Sequence, residues 1–317
     1  MDTETETDAA ARRPQRSAHS TGLIYAVLAY GLWGMLPLYF LLLTPTGAFE
    51  VVAWRVLFSL VFCTLLITVT RRWGRFLAVL RRPRIVWTMG LAGILIFVNW
   101  QTYVFGTLSG HVVEAALGYF INPIVTVFLG VLVLHERLRA LQWVAMGISL
   151  AAVVVLTVGY GSLPWISLVL AFSFGFYGLI KKRVGHSVDA LAGLTLETIW
   201  LAPIAIVQLI VVGTVSGLTF GAISPWHTVG LLTTGVVTAV PLLFFAAAAR
   251  RLPLTYLGLI QFIAPILQFL VGVFILREPM PPERWVGFGL VWVALVILTA
   301  DMVVSGRAPR RASLEPA

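Results

Sequence analysis

Apolar residues run along this chain in stretches of about 20, the length a helix needs to cross the hydrocarbon core of a bilayer. Polar and basic residues punctuate them. Ten stretches are predicted as spanning helices: 22–43, 48–70, 85–107, 112–134, 140–158, 164–181, 189–212, 227–249, 254–276 and 284–303. The connections are mostly short, so neighbours in sequence must run antiparallel. No stretch alternates polar and apolar positions as a barrel strand would. The predicted fold is an all-α polytopic membrane protein with ten transmembrane helices. Residues 1–21 and 304–317 are polar and charged and are predicted as cytosolic tails without fixed structure.

The pattern is written twice. "GYFINPIVTVFLGVLVLHERL" (118–138) and "IQFIAPILQFLVGVFILREPM" (260–280) match at a constant offset of 142. Pro123 aligns with Pro265, Gly130 with Gly272, Glu136 with Glu278 and Trp143 with Trp285. The same offset aligns the first span with the sixth, so 22–158 and 164–303 are predicted as two five-helix repeats. Five is odd, so the second repeat enters the membrane from the other side. Inverted-topology repeats place a site near the midplane between the halves, and alternating access follows from exchanging the conformations of the two repeats. A duplicated helical scaffold without transport is the bland alternative.

Composition supports the membrane reading. Hydrophobic residues make up 59% of the 317 and charged residues only 11%, with a mean hydropathy of +0.96. A soluble domain carries about 25% charged residues, so this chain cannot cover a wet surface. The net charge of +9 does not point to nucleic acid, because the basic residues lie between the spans. With ten spans, 19 of the 22 Lys and Arg fall on one side, at 12–16, 71–84, 137–139, 181–183, 250–251 and 307–311. The positive-inside rule then puts both termini in the cytoplasm. The single cysteine, Cys63, cannot form an internal disulfide and reads as apolar filler.

Charges within spans are costly and usually face the bundle interior. Arg55 in span 2 and Glu197 in span 7 qualify, each roughly 10–12 Å deep at 1.5 Å per residue. They too are 142 residues apart, so they are pseudo-equivalent positions of opposite charge. Two readings stand open. Glu197 carries a proton or cation, or Arg55 anchors an anionic substrate. Alternatively the two hold the bundle together, as a pair or through separate partners. Glu114, three residues after His111, lies in the first turn of span 4, where an acid complements the helix dipole. Nothing completes a ligand set around His111 and Glu114, so no metal is predicted.

Proline leaves the carbonyl four residues back without its helical donor. Pro37, Pro123, Pro241 and Pro265 therefore free the carbonyls of Trp33, Tyr119, Val237 and Gln261 and are predicted as helix kinks. Asn122 and Gln261 place polar side chains beside two of these carbonyls. Asn99 aligns with Pro241 at the same offset. Mid-span Trp33, Trp100, Tyr103, Tyr119 and Tyr177 are candidates to line a path for flat amphipathic molecules, with Asn99, Glu114, Asn122 and Gln261 as candidate polar groups along it. Asn122 has only Ala264 opposite it in the second copy, so polar chemistry there is predicted to be lopsided. The chain has no H-E-x-x-H motif and no P-loop, so no catalytic residue and no cofactor is predicted. An intramembrane enzyme would need a nucleophile or metal cluster near the midplane, and a scaffold would need a midplane packed solid.

Several segments carry a family resemblance. "AYGLWGMLPLYF" (29–40), "FEVVAWRVLFS" (49–59), "NWQTYVF" (99–105) and "EAALGYFINPIVTVFLGVLVLHERLRALQW" (114–143) are similar to the RarD branch of the EamA family, in the drug/metabolite transporter superfamily. So is "TAVPLLFFAAAARRLPLTYLGLIQFIAPILQFLVGVFILREPM" (238–280) in the second half. The resemblance covers about 22–303. It implies a ten-helix permease of the bacterial inner membrane. The expected cargo is a small metabolite or an amphipathic drug-like compound, with export the expected direction. The expected partners are that substrate, the lipid bilayer, and a proton or counter-substrate as the driving species. A homodimer is compatible with this reading.

Overall fold

A computed structural model describes residues 3–134, 138–160, 162–184, 188–249, 251–252, 256–257 and 260–312. Among these residues the secondary structure is entirely helical. The helices are α1 (Thr3–Leu41), α2 (Ala48–Val69), α3 (Trp73–Leu80), α4 (Pro83–Leu108), α5 (Val112–Leu134) and α6 (Ala140–Tyr160). There follow α7 (Trp165–Val184), α8 (Ala190–Val215), α9 (Pro225–Ala249), α10 (Ile263–Leu270) and α11 (Pro282–Ala312). A π-helical turn, Val271–Ile275, continues α10.

Among the described residues, eight helices are long and apolar enough to cross a membrane. The sixth and ninth predicted spans have shorter apolar helices, Trp165–Lys181 and Ile263–Ile275. Part of the ninth predicted span, at 254–255 and 258–259, lies outside the described residues. Residues 261–262 form a turn, and Pro265 falls in the first turn of α10 instead of mid-helix. Proline is tolerated there because the first N–H groups of a helix have no helical acceptor. Both tails differ from expectation. Residues 3–19 continue α1, and 304–312 continue α11; alanine and arginine, both helix formers, are frequent in these segments.

One helix was not predicted. α3 is eight residues long, too short to register as a span, and lies within the arginine-rich 71–84 segment. Its Phe76 and Val79 are buried, while Trp73, Leu77 and Leu80 are exposed. Large apolar side chains are exposed on many of the long helices too, among them Val215, Val158 and Val296. With few charges to cover the surface, such a face fits lipid and not water.

Among the described residues the interior has two large apolar cores and a small third one around Ala26, Ala248, Leu252 and Leu257. One of the large cores draws mainly on α1, α2, α4, α7, α8 and α9, the other mainly on α5, α6, α10 and α11. Helix neighbours occur in corresponding sets. α2 lies along α8 and α6 along α11. The packing of α1 on α9 corresponds to that of α7 on α4, α2 on α9 to α8 on α4, and α5 on α7 to α10 on α1.

A polar and aromatic run between the two halves

α2 is largely apolar, and its only charged residues are Glu50 near its start and Arg55 two turns in. What fixes the surroundings of Arg55 is a close helix approach. Gly235 of α9 lies against the Phe58 carbonyl of α2, so closely that any Cβ there would collide with backbone. Small residues permit this contact between membrane helices. One turn further along α9, Thr238 Oγ donates to the Thr234 carbonyl at 2.8 Å. Its lone pairs are left for Arg55, whose Nε donates to it at 2.7 Å. The guanidinium carbon stands 4.3 Å from the centre of the Trp100 ring and 5.5 Å from that of Phe40. Arg55 is only 4% exposed, and among the described residues its Nη1 has no hydrogen-bond partner. No described carboxylate pairs with it.

Glu197 on α8 has different surroundings. Gly93 of α4 approaches it, and a Cβ on that glycine would meet the Glu197 carbonyl oxygen at 3.3 Å. Gly93 and Gly235 are 142 residues apart, as are Arg55 and Glu197. The Glu197 carboxylate is 1% exposed and accepts from Lys181 Nζ at 2.8 Å and from Tyr177 Oη at 3.4 Å. Lys181 also stands over the Tyr177 ring, 5.5 Å from its centre. A mutual Arg55–Glu197 pair, one of the expected alternatives, is therefore corrected. Each charge has its own surroundings, and only the acid has a counter-charge.

Between them runs a continuous series of contacts. Phe40 and Tyr103 are edge to face at 6.1 Å, and Tyr103 and Tyr119 at 5.6 Å. Tyr119 Oη donates to Asn99 Oδ1 at 3.0 Å, and Asn99 Nδ2 donates at 3.1 Å to both Ser173 Oγ and the Leu170 carbonyl. Tyr119 packs on Phe174, and Phe174 on Tyr177, which reaches Glu197. Seven predicted residues thus come together: Arg55, Asn99, Trp100, Tyr103, Tyr119, Tyr177 and Glu197. They come from α2, α4 and α5 of the first half and α7 and α8 of the second.

Four others take different places. Trp33 packs against Tyr30 and Phe245. Glu114 accepts from the Ile166 N–H at 3.1 Å, so it satisfies the start of α7 and not only that of its own helix. His111 Nδ1 meets Ser109 Oγ at 3.2 Å. Among the described residues no group of three His, Cys, Asp or Glu gathers as a metal set. Asn122 lies one turn from Tyr119, beside Gly175, and its Oδ1 is buried without a partner among the described residues. Gln261 lies in the turn before α10, where its carbonyl accepts the Ala264 N–H at 3.3 Å. Pro265 stands in the first turn after the 261–262 turn that interrupts the helix, whereas Pro123 and Pro241 lie inside α5 and α9. At Pro37 the freed Trp33 carbonyl is taken by Gln268 Nε2 of α10 at 3.1 Å.

Sequence reasoning missed Phe40, Ser173, Phe174, Lys181, Thr238 and Gln268. Lys181 had a signal. It stands four residues after Tyr177, on the same helix face. Its long stem lets a charge at the span end reach inward, and its side chain remains 30% exposed. Glu278 was also unassigned. Both its oxygens accept backbone N–H groups at the start of α5, Val112 at 2.6 Å and Val113 at 3.0 Å. Its counterpart Glu136 lies outside the described residues. Glu50, in the first turn of α2, is buried and accepts the Thr219 and Phe220 N–H groups.

The EamA-like transporter family matches this chain twice, over residues 20–158 and 163–300. The chain belongs to the EamA family. Within it, the chain falls in the RarD branch. It is 50% identical over 297 residues to Protein RarD of Streptomyces exfoliatus, covering 94% of this chain and 93% of that protein. It is 38% identical over 286 residues to Protein RarD of Escherichia coli K12, covering 90% and 96%. Bacillus subtilis has the uncharacterized transporter YojE, 40% identical over 299 residues and covering 93% and 99%. A solved crystal structure shares the fold with a TM-score of 0.55 at 19% identity, covering 90% of this chain and 97% of that one. The EamA chain described here is thus a multi-pass membrane protein built of two related halves.

Proposed function

We propose that this EamA protein is a secondary transporter working by alternating access between two inverted five-helix halves. The observation that carries this reading is the run from Arg55 to Glu197. Ionised groups in a membrane interior are expensive and mark solute or ion pathways more often than they mark scaffolds. Here they lie between elements of both halves, where an inverted repeat places its site. The helix packing supports the inversion, because its corresponding sets are related by replacing each span with the one five later. On this reading there are ten crossings, with the helices of 165–184 and 263–275 as the two short ones.

The solute is a small metabolite or an amphipathic compound, and the direction is outward across the bacterial inner membrane. One relative 31% identical to the chain is named chloramphenicol-sensitive protein RarD, in Pseudomonas aeruginosa. Arg55, Asn99, Tyr103 and Glu197 are all 4% exposed or less, so this conformation is closed around them. Glu197, joined to the part-exposed Lys181, is the group placed to exchange a proton with the cytoplasmic side. A gradient or a counter-substrate then supplies the driving force.

The test compares metabolites released by cells with and without the gene, and by cells carrying Glu197→Gln. A solute exported only by the native protein, with the variant still folded in the membrane, supports transport. The closed packing also suits a non-transporting scaffold, and identical release from all three strains would establish that reading. Uptake into proteoliposomes with and without a pH gradient then separates proton coupling from facilitated passage.

A further inference from the structure

The two buried charges differ in one respect that the transporter reading leaves unused. Glu197 has Lys181 at 2.8 Å, but Arg55 has no acid. Its Nε is held by Thr238 and its flat face lies over Trp100. That leaves Nη1 directed at no described acceptor. A guanidinium stacked on an aromatic ring keeps its edge free, and that edge matches the two oxygens of a carboxylate. The Tyr103 hydroxyl is likewise buried without a partner among the described residues, and lies within electrostatic reach of Arg55. Two unsatisfied donors in a dry site, one charged, call for an anionic acceptor.

We propose that Arg55 receives the carboxylate of a small organic anion whose apolar or aromatic body lies along Trp100, Tyr103 and Tyr119. This rests on the transporter reading for the meaning of the site, though not for its chemistry. Aromatic edges line the run beside the guanidinium, with Phe40 closing its other side at 5.5 Å. A carboxylate gives bidentate contact, and the ring system suits a flat apolar remainder. Cations are disfavoured by the uncompensated charge, and neutral amides gain only a single charge–dipole hydrogen bond, weaker than the bidentate pair of a carboxylate.

The test uses the full-length protein in detergent with three isosteric probes: benzoate, benzamide and benzylamine. Binding is read by calorimetry and by the shift in unfolding temperature. Benzoate is expected to bind and stabilise, and the other two are not. Arg55→Gln should weaken benzoate binding by about tenfold or more, with Arg55→Lys in between. Arg55→Met should keep the fold at native or higher unfolding temperature, because apolar replacement of a buried ion is often stabilising. Equal binding of benzoate and benzamide overturns the proposal, as does benzoate affinity unchanged in Arg55→Gln. Chloride or inorganic phosphate binding as tightly as benzoate overturns the organic class. If neither Arg55→Gln nor Arg55→Met folds, the guanidinium is a structural element and the proposal falls. Benzoate binding that depends on Arg55, without flux of any solute, would sink transport and leave the anion site standing. Flux of neutral solutes independent of Arg55 would do the reverse.

Discussion

Arg55 and Glu197 occupy corresponding places in the two halves, each beside a glycine that lets a helix from the other half approach. Around Glu197 the approach is tight but short of collision, and the acid is neutralised by a lysine that reaches in from the helix end. Around Arg55 the helices meet backbone to backbone, and the charge is left with a hydroxyl and aromatic faces. Duplication thus preserved the geometry of contact but not the chemistry within it. A solvated counter-charge makes one site self-sufficient, and its absence leaves the other open to a ligand of opposite sign.

The sharpest way to break this comparison is at the glycines. Gly235→Ala drives a methyl into the Phe58 carbonyl, and relief requires α2 and α9 to part. We expect more than about 3 kcal/mol of destabilisation, at the upper end for overpacking, read as loss of monodisperse protein in detergent. Lys181→Met comes next, because it strands a buried carboxylate. The lysine is part exposed, so on the order of 2–3 kcal/mol is expected, between the buried and surface limits. Adding Glu197→Gln should restore most of the lost unfolding temperature. If Lys181→Met costs nothing, the self-sufficiency of the Glu197 side is wrong. Asn99→Ala removes the link between α4, α5 and α7 and should cost about 1–2 kcal/mol, with Tyr119→Phe milder in the same assay. Smallest is Gly93→Ala, expected within about 1 kcal/mol, since its methyl would sit 3.3 Å from the Glu197 oxygen. Equal effects at Gly93 and Gly235 would erase the asymmetry described here.

Long apolar helices and mid-span charges were legible because their signals are local: a run of about 20 residues, a charge in grease. The repeat was legible too, since a constant offset is a property of letters. Seven residues of the run followed from this. Their partners did not. Thr238, Ser173 and Gln268 are polar residues of an ordinary kind, and only tertiary packing makes them acceptors or donors. Lys181 was hidden by the rule that reads basic residues at span ends as cytosolic charges. α3 was hidden by its length and by the arginines around it. The turn at 261–262 beside Pro265 was not legible, because proline signals both a kink mid-helix and a start at the first turn, and the sequence does not say where the turn falls.

Glu278 joins the second half to the start of α5 through two backbone N–H groups about 165 positions away. Parting the halves there exposes one carboxylate and two amide donors at once, and only water can satisfy all three as they separate. Under the proposed alternating access, opening at that end is a hydration step as much as a mechanical one. Water activity is then a variable of the proposed cycle, and an excluded osmolyte such as sucrose should hold this face shut.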